Sequence, residues 1–284
     1  MAPLVGSGLW FGSGGNARGI FALGYNGSTT TPTTNIYTYA NNGVVVGTNL
    51  TGGESTGGAA GNSTLGIFAL GDFTSTTNIY TYASNGVATG TSLTGDLDSG
   101  AAAGNSTMGV FALGSATVTT NIYTYANNGV TTGTSLIDSE NTGAATGNST
   151  LGIFAIGNVN TPTNIYTYSN NVVSTGTNLT ANADGAAATG NSTLGIFEIG
   201  ASTSTTNIYT YASNGVATGT SLTANAQYGA ATGNSTIGIF ALGENPPIST
   251  TNIYTYSSNG VVAGTSLIGV LDGGIATSTS PGGF

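Results

Sequence analysis

The pentapeptide Asn-Ile-Tyr-Thr-Tyr begins at Asn35, Asn78, Asn121, Asn164, Asn207 and Asn252, at intervals of 43, 43, 43, 43 and 45 residues. A second anchor, Gly-(Ile/Val)-Phe-(Ala/Glu)-(Leu/Ile)-Gly, begins at Gly19, Gly66, Gly109, Gly152, Gly195 and Gly238. The stretch from Thr76 to Thr94 recurs letter for letter from Thr205 to Thr223. A period of this length marks one supersecondary unit copied in tandem, too small to bury its apolar face alone. Such a chain must stack its copies or close them into a ring.

Each unit reads as four short strands. In the last complete copy a small-residue strand covers Gly229 to Gly233, followed by a turn at Asn234-Ser235-Thr236. Ile237 to Leu242 is apolar on both faces, as a strand sandwiched between neighbours must be. A loop of variable sequence leads to Thr251–Tyr256, where Asn252, Tyr254 and Tyr256 share one face and Ile253 and Thr255 the other. Ser258-Asn259-Gly260 predicts a hairpin in which Asn-Gly supplies positive φ at both central positions. The last strand runs from Val261 to Leu267. Nothing in the unit has helical periodicity, and its β-branched and aromatic residues favour strand.

Four strands in ~40–50 residues, repeated, predict an all-β fold: a six-bladed β-propeller of four-stranded blades. The Gly-Ala strands suit the crowded axis, and the Phe and Tyr strands suit the wider wedges between blades. Gly274 to Ser280 matches the small-residue strand but has no second strand after it. It is expected to pair with the unit beginning at Gly19 and close the ring. Gly8-Leu9-Trp10-Phe11-Gly12 matches that strand poorly, so 1–284 reads as one domain with an irregular segment over 1–18 and repeats from about 19 to 280. A β-solenoid and a pair of three-unit trefoil-like lectin modules are the competing architectures.

The order small strand, turn, apolar strand ending in Gly, variable loop and Tyr-bearing strand resembles the kelch repeat over nearly the whole chain. The second glycine of the kelch pair is missing, as Gly24-Tyr25, Gly71-Asp72, Gly114-Ser115, Gly157-Asn158, Gly200-Ala201 and Gly243-Glu244 show. The repeat Trp is missing too, since the one Trp is Trp10. The resemblance implies a propeller scaffold for interactions.

Charged residues are 4% of the chain: one Lys+Arg, ten Asp+Glu, no His, no Cys, and a net charge of −9. With Arg18 as its only cation, the chain cannot neutralise phosphates, so nucleic acid and anionic membrane surfaces are excluded as partners. No run approaches the roughly 18 apolar residues of a spanning helix, so no membrane insertion is expected. Met1 to Gly6 carries no basic, apolar leader of the secretory type. Zero cysteines removes thiolate and zinc-thiolate chemistry.

Acid–base and nucleophilic catalysis usually recruit His, Lys, Cys or paired carboxylates, and only carboxylates are present in number. Asp96 with Asp98, and Asp138 with Glu140, are i, i+2 pairs in the segments between units, of the oxygen type that ligates Ca²⁺. The corresponding loops elsewhere hold Glu54, Asp184 or no acid, so no Ca²⁺ motif repeats and no cofactor is expected. These side chains read as solvated loop acids. Glu198 replaces the alanine of Ala22, Ala69, Ala112, Ala155 and Ala241 inside an apolar strand. A buried carboxylate is costly, so exposure is expected there. Arg18 stands where other units have Leu, Met or Ile, and marks the irregular first blade. Asn62-Ser63-Thr64 and its four copies fit the glycosylation acceptor pattern, yet a strand-to-strand turn explains them. The paired tyrosines, such as Tyr37 and Tyr39, could stack on sugars, but strict recurrence favours packing between blades.

The variable segments remain. Glu54, Asp72, Asp96, Asp98, Asp138, Glu140 and Glu244 lie in or beside them and are the candidate binding-loop residues; no catalytic residue is assigned. Divergent loops on a rigid scaffold form binding surfaces. The expected role is a non-enzymatic extracellular or virion-surface protein, a phage fibre, tail-tip or decoration component, binding a host-surface glycan or another virion or surface protein. A soluble propeller lectin, an artificial consensus-like propeller and a carboxylate-based glycosidase are the alternatives.

Overall fold

A computed structural model describes residues 17–157, 161–243 and 246–280. Among these residues there are 24 strands, numbered β1 to β24 in chain order, and no helix. They form six separate four-stranded antiparallel sheets. Blade 2 is typical: β4 (Gly58–Gly61) lies innermost, followed outward by β5 (Leu65–Ala69), β6 (Thr77–Thr81) and β7 (Gly86–Thr89). The chain is a six-bladed β-propeller. Gly8 to Gly12 lies outside the described residues.

The first blade takes its innermost strand from the other end of the sequence. β24 (Ile275–Ser278) pairs with β1 (Arg18–Tyr25), setting Gly19 opposite Ser278 and Ala22 opposite Ile275. β2 (Thr30–Thr38) and β3 (Gly43–Val46) complete that sheet. Arg18 begins β1 at this seam, its N–H donating to Thr279 Oγ1 at 3.0 Å. The closing strand is buried as deeply as its counterparts, with Ile275, Thr277 and Ser278 all in the core.

The Phe and Tyr side chains fill the wedges. Between blades 1 and 2, Ile20 and Ala22 meet Phe68, Tyr80 and Tyr82; the aromatic trio recurs at each junction, as in Val110 and Ala112 against Phe154, Tyr166 and Tyr168. The largest fully buried side chains are one Tyr and one Phe per blade, from Tyr37 and Phe21 to Tyr254 and Phe240. Burial removes the tyrosine pairs from any role in stacking on sugars.

Where other proteins use ion pairs, this one joins its blades with amides and hydroxyls. The Asn that opens each pentapeptide is fully buried, and its Oδ1 accepts the backbone N–H of the linker arriving from the preceding blade: Thr51 to Asn78 at 2.7 Å, Thr94 to Asn121 at 2.6 Å, Ile268 to Asn35 at 2.6 Å. A second Asn, in the outer hairpin, accepts from the previous blade's outer edge, as Thr134 N–H does to Asn171 at 2.9 Å. These six hairpins differ from the expected two-residue turn. Thr255 pairs with Gly260 across a four-residue loop, and only Asn259 has positive φ, at 52°. The following glycine is an ordinary strand residue, which is why Val172 replaces it in blade 4 without strain.

The glycine ending the second strand is required. Gly71 has φ of 68°, and a Cβ there would lie 2.1 Å from the Ser55 carbonyl oxygen. The next residue, where the kelch pattern has its second glycine, also takes positive φ: Asp72 at 54°, Ser115 at 50° and Ala201 at 50°.

The second tyrosine of each pair reaches back to the inner strand of the preceding blade. Tyr82 meets Thr277 Oγ1 at 3.0 Å, Tyr39 meets Thr232 at 2.9 Å and Tyr256 meets Thr189 at 3.1 Å. In two blades the partner position is alanine, Ala60 beside Tyr125 and Ala103 beside Tyr168, and both hydroxyls are buried with no partner. An unsatisfied buried hydroxyl costs about 1–3 kcal/mol. The substitutions Ala60→Thr and Ala103→Thr are therefore expected to stabilise the fold by about 1 kcal/mol each, measured as a raised denaturant midpoint at constant slope.

Candidate functional site

An antiparallel four-stranded meander sends its first and third turns to one end of the sheet and its second turn and exit to the other. All six blades share this sense. The repeated Asn-Ser-Thr turns and Asn hairpins therefore cover one face of the disc, and the described residues of the divergent segments lie on the opposite one. On the repeated face, Asn62 Oδ1 accepts from Thr64 N–H at 2.9 Å and Leu65 N–H at 3.1 Å, while its Nδ2 donates to Ser106 of the next blade at 3.1 Å. Asn62, Asn105, Asn148 and Asn191 thus serve the turn and the blade junction with both amide atoms.

Charge follows the same division. Among the described residues every carboxyl group sits on the variable face: Asp72, between β5 and β6; Glu198, ending β17 (Leu194–Glu198); and Glu54, Asp96, Asp98, Asp138, Glu140, Asp184 and Asp272 in the links from blade to blade. Arg18 begins its strand at the opposite face. Glu244 lies outside the described residues.

At the axis these links build a mouth. One residue per link has positive φ: Thr56, Ser99, Thr142, Gly185, Tyr228 and Gly273. Their backbones bond around the ring: Thr56 N–H to Gly273 O at 2.7 Å, Gly273 to Tyr228 at 2.8 Å, Tyr228 to Gly185 at 2.7 Å, Gly185 to Thr142 at 2.8 Å and Thr142 to Ser99 at 2.9 Å. Gly100 N–H completes the circle on Thr56 O at 3.3 Å. Inside it, alanines such as Ala59, Ala145 and Ala231 line both an outer and an inner vestibule, narrowing the channel between them. The residue preceding each ring member alternates: Ser55, Asp98, Asn141, Asp184, Gln227, Asp272. Thr56 Oγ1 donates to Asp98 at 3.0 Å and Thr142 Oγ1 to Asp184 at 2.8 Å, tying one link to the next. Burial raises the Asp272 carboxyl from its ordinary value.

The expected site residues separate into two groups. Asp72 and Asp96 are exposed, while Asp98 and Asp138 are partly buried, with Asp138 accepting from Asn164 Nδ2 at 3.2 Å. Glu54 and Glu140 are not solvated loop acids: both are fully buried, and each accepts one N–H, from Gly57 at 3.2 Å and Gly143 at 2.8 Å. Glu198 is likewise buried, at 1% exposure, accepting from Gly200 N–H, contrary to the expected exposure. The reason is the same for all three. Glu54 and Glu140 occupy the link position filled by Leu97 and Leu271 elsewhere, and Glu198 occupies a strand position whose neighbour Ile196 packs on Phe240. Burial raises all three carboxyls, Glu198 to about 8 and Glu54 and Glu140 well above their ordinary value. Pairing of Asp138 with Glu140 as Ca²⁺ ligands fails on this geometry, since Glu140 turns into a blade junction. Among the described residues no three acids gather as a metal site.

The mouth residues Asp184, Asp272 and Tyr228 were not among the candidates drawn from sequence. Aligning the repeats at the positive-φ glycine would have placed the three aspartates at one position in alternate units. Exposed apolar side chains share their face: Phe73 at 67%, at φ of 56°, with Ile137 at 52% and Ile268 at 50%.

Among solved structures the fold is similar to TolB from Acinetobacter baumannii, with a TM-score of 0.64 and 11% identity, over 93% of this chain and 67% of that one. No family model and no curated protein sequence matches this chain. At that identity the likeness speaks for the fold, a six-bladed propeller closed by its last strand.

Proposed function

We propose that this chain is a non-enzymatic binding protein that engages its partner through the variable face. One observation carries the reading: the meander gathers the described divergent loops, the exposed Asp72 and Asp96 and the exposed Phe73, Ile137 and Ile268 on one side, and leaves the repeated turns on the other. The partner is a host-surface glycan or a virion or surface protein. Asp72 and Asp96 offer acceptors for hydroxyl or amide donors, and Phe73 offers an apolar ring beside them. The sparsely charged Thr, Asn and Gly exterior, with one trypsin-type site, suits an extracellular or virion surface. The kelch-like strand order points to the same scaffold role. A catalytic reading finds little support, because the carboxyl with the proton affinity of a general acid, Glu198, is closed off between blades.

The test is a glycan array, with and without chelator, run alongside capture of purified surface proteins by the full chain. A variant carrying Asp72→Asn, Phe73→Ser and Ile137→Ser is expected to lose binding at least about tenfold, a loss of about 1.4 kcal/mol. Ser84→Ala with Ser213→Ala, on the other face, should leave it unchanged. Full retention in the first variant would overturn the assignment of the face, and turnover of a bound glycan would overturn the non-enzymatic role.

A further inference from the structure

Three of the six blade junctions contain a buried glutamate, and they alternate around the ring. Glu54 lies between blades 1 and 2, Glu140 between blades 3 and 4, and Glu198 between blades 5 and 6. The acid reaches the junction from the link in the first two cases and from the second strand in the third. Where it comes from the link, the strand position is Ala22 or Ala112; where it comes from the strand, the link position is Ala226. One carboxyl thus fills one slot from either side. We infer that the three carboxyls act as an acid latch, seating alternate blade junctions while protonated and loosening them when ionised.

The surroundings favour the protonated form. In each group one oxygen accepts a glycine N–H and the second is buried without a partner, while the Ala187 N–H adds a weaker favourable contact at Glu198 alone. The titratable groups packed in the same junctions are tyrosines: Tyr80 and Tyr82, Tyr166 and Tyr168, Tyr254 and Tyr256. Burial holds these protonated as well. Among the described residues no charged side chain bears on any of the three glutamates, and the nearby rim carboxylates Asp98 and Asp184 are engaged by Thr56 and Thr142. An ionised carboxylate in such a junction lacks both water and a counter-charge. Two of the donors, Gly57 and Gly143, directly follow the ring residues Thr56 and Thr142, so ionisation at Glu54 or Glu140 reaches the channel mouth.

The sign follows from proton linkage. A raised folded-state value means that the native chain holds protons which the unfolded chain releases above about 4.5. The stabilisation is complete below that pH and is lost as pH rises towards the folded values, about 8 for Glu198 and beyond the ordinary range for the others. Heat unfolding of the full chain between pH 5 and pH 9 should show a melting temperature that falls by several degrees. The variant Glu54→Leu, Glu140→Leu, Glu198→Ala, built from residues the other units carry, should flatten most of that slope. Parallel slopes in the two proteins would overturn the latch. Should the triple variant not fold, carbon-13 spectra of the native chain decide instead. The side-chain carboxyl resonances of the three glutamates should stay at their protonated positions through pH 6, and titration of any two of them near 4.5 would overturn the inference.

Discussion

Removal of residues 274–284 is expected to abolish the cooperative melting of the propeller, the largest effect of any change considered for this chain. The deletion takes away β24, the innermost strand of blade 1, and with it the four residue pairs that join the ends of the ring. Ile275 leaves the core, a loss of about 2–3 kcal/mol. Tyr39 and Tyr82 lose their contacts with Ser278 and Thr277, and Thr232 Oγ1 loses its acceptor, the Thr277 carbonyl. The Tyr82 hydroxyl, both of whose partners lie in β24, is left unsatisfied at a cost of about 1–3 kcal/mol, while Tyr39 and Thr232 keep each other. With the lost strand pairing added, these losses reach the lower part of the stability of an ordinary domain, about 5–15 kcal/mol. Circular dichroism on heating should show a broad, early transition in place of one sharp step. A melting curve superimposable on that of the intact chain would show that the ring closes without β24. Addition of a peptide covering 274–280 should restore part of the lost cooperativity, because the strand is held by pairing and packing rather than by its linkage to blade 6.

The second large effect is expected at the buried asparagine of the repeat. In Asn121→Ala the N–H of Thr94 loses its acceptor at 2.6 Å, and Thr94 Oγ1 loses the Asn121 amide donor at 2.9 Å. Asn121 is fully buried, so water does not replace it without opening the junction between blades 2 and 3. A cost of about 2–4 kcal/mol follows from the unsatisfied Thr94 N–H and a small cavity, the exposed Thr94 hydroxyl being met by water. Chemical denaturation should show the midpoint moving down at unchanged slope. Asn121→Asp keeps the acceptor but loses the donor and buries a charge, so it should be rescued as pH is lowered. A loss below about 0.5 kcal/mol in Asn121→Ala, the range of an ordinary surface change, would mean that the linker is held by other contacts.

The two sites show how unequally a sequence discloses its physics. The strands of the repeat were legible because alternation has a period of two and because the copies confirm one another: β5, β6 and β7 fall where the anchor, the pentapeptide and the segment after Asn-Gly lie. The surplus strand at Gly274 to Ser280 even disclosed the closure. The hairpin was less legible, since Asn-Gly is shared by turns of two and four residues, and Val172 was the clue that the glycine was dispensable. The burial of Glu54, Glu140 and Glu198 was hidden by the rule that acids are solvated. That rule holds for residues one at a time; here the slot is defined by Leu97, Leu271 and Ala226 in other copies, and the acid inherits their burial. Asp184, Asp272 and Tyr228 stayed unseen for a related reason, because a mouth exists only when six links converge on one axis.

By itself the sequence determined the unit, its four strands, their number of copies and the closing segment, because backbone pairing and side-chain alternation are local properties that a repeat displays many times. Only the tertiary structure decided which turns share a face, which acids meet water and which are shut between blades. Those outcomes depend on the direction in which each sheet enters and leaves the ring, and on the neighbour that each blade finds across a junction, neither of which is written at any single position.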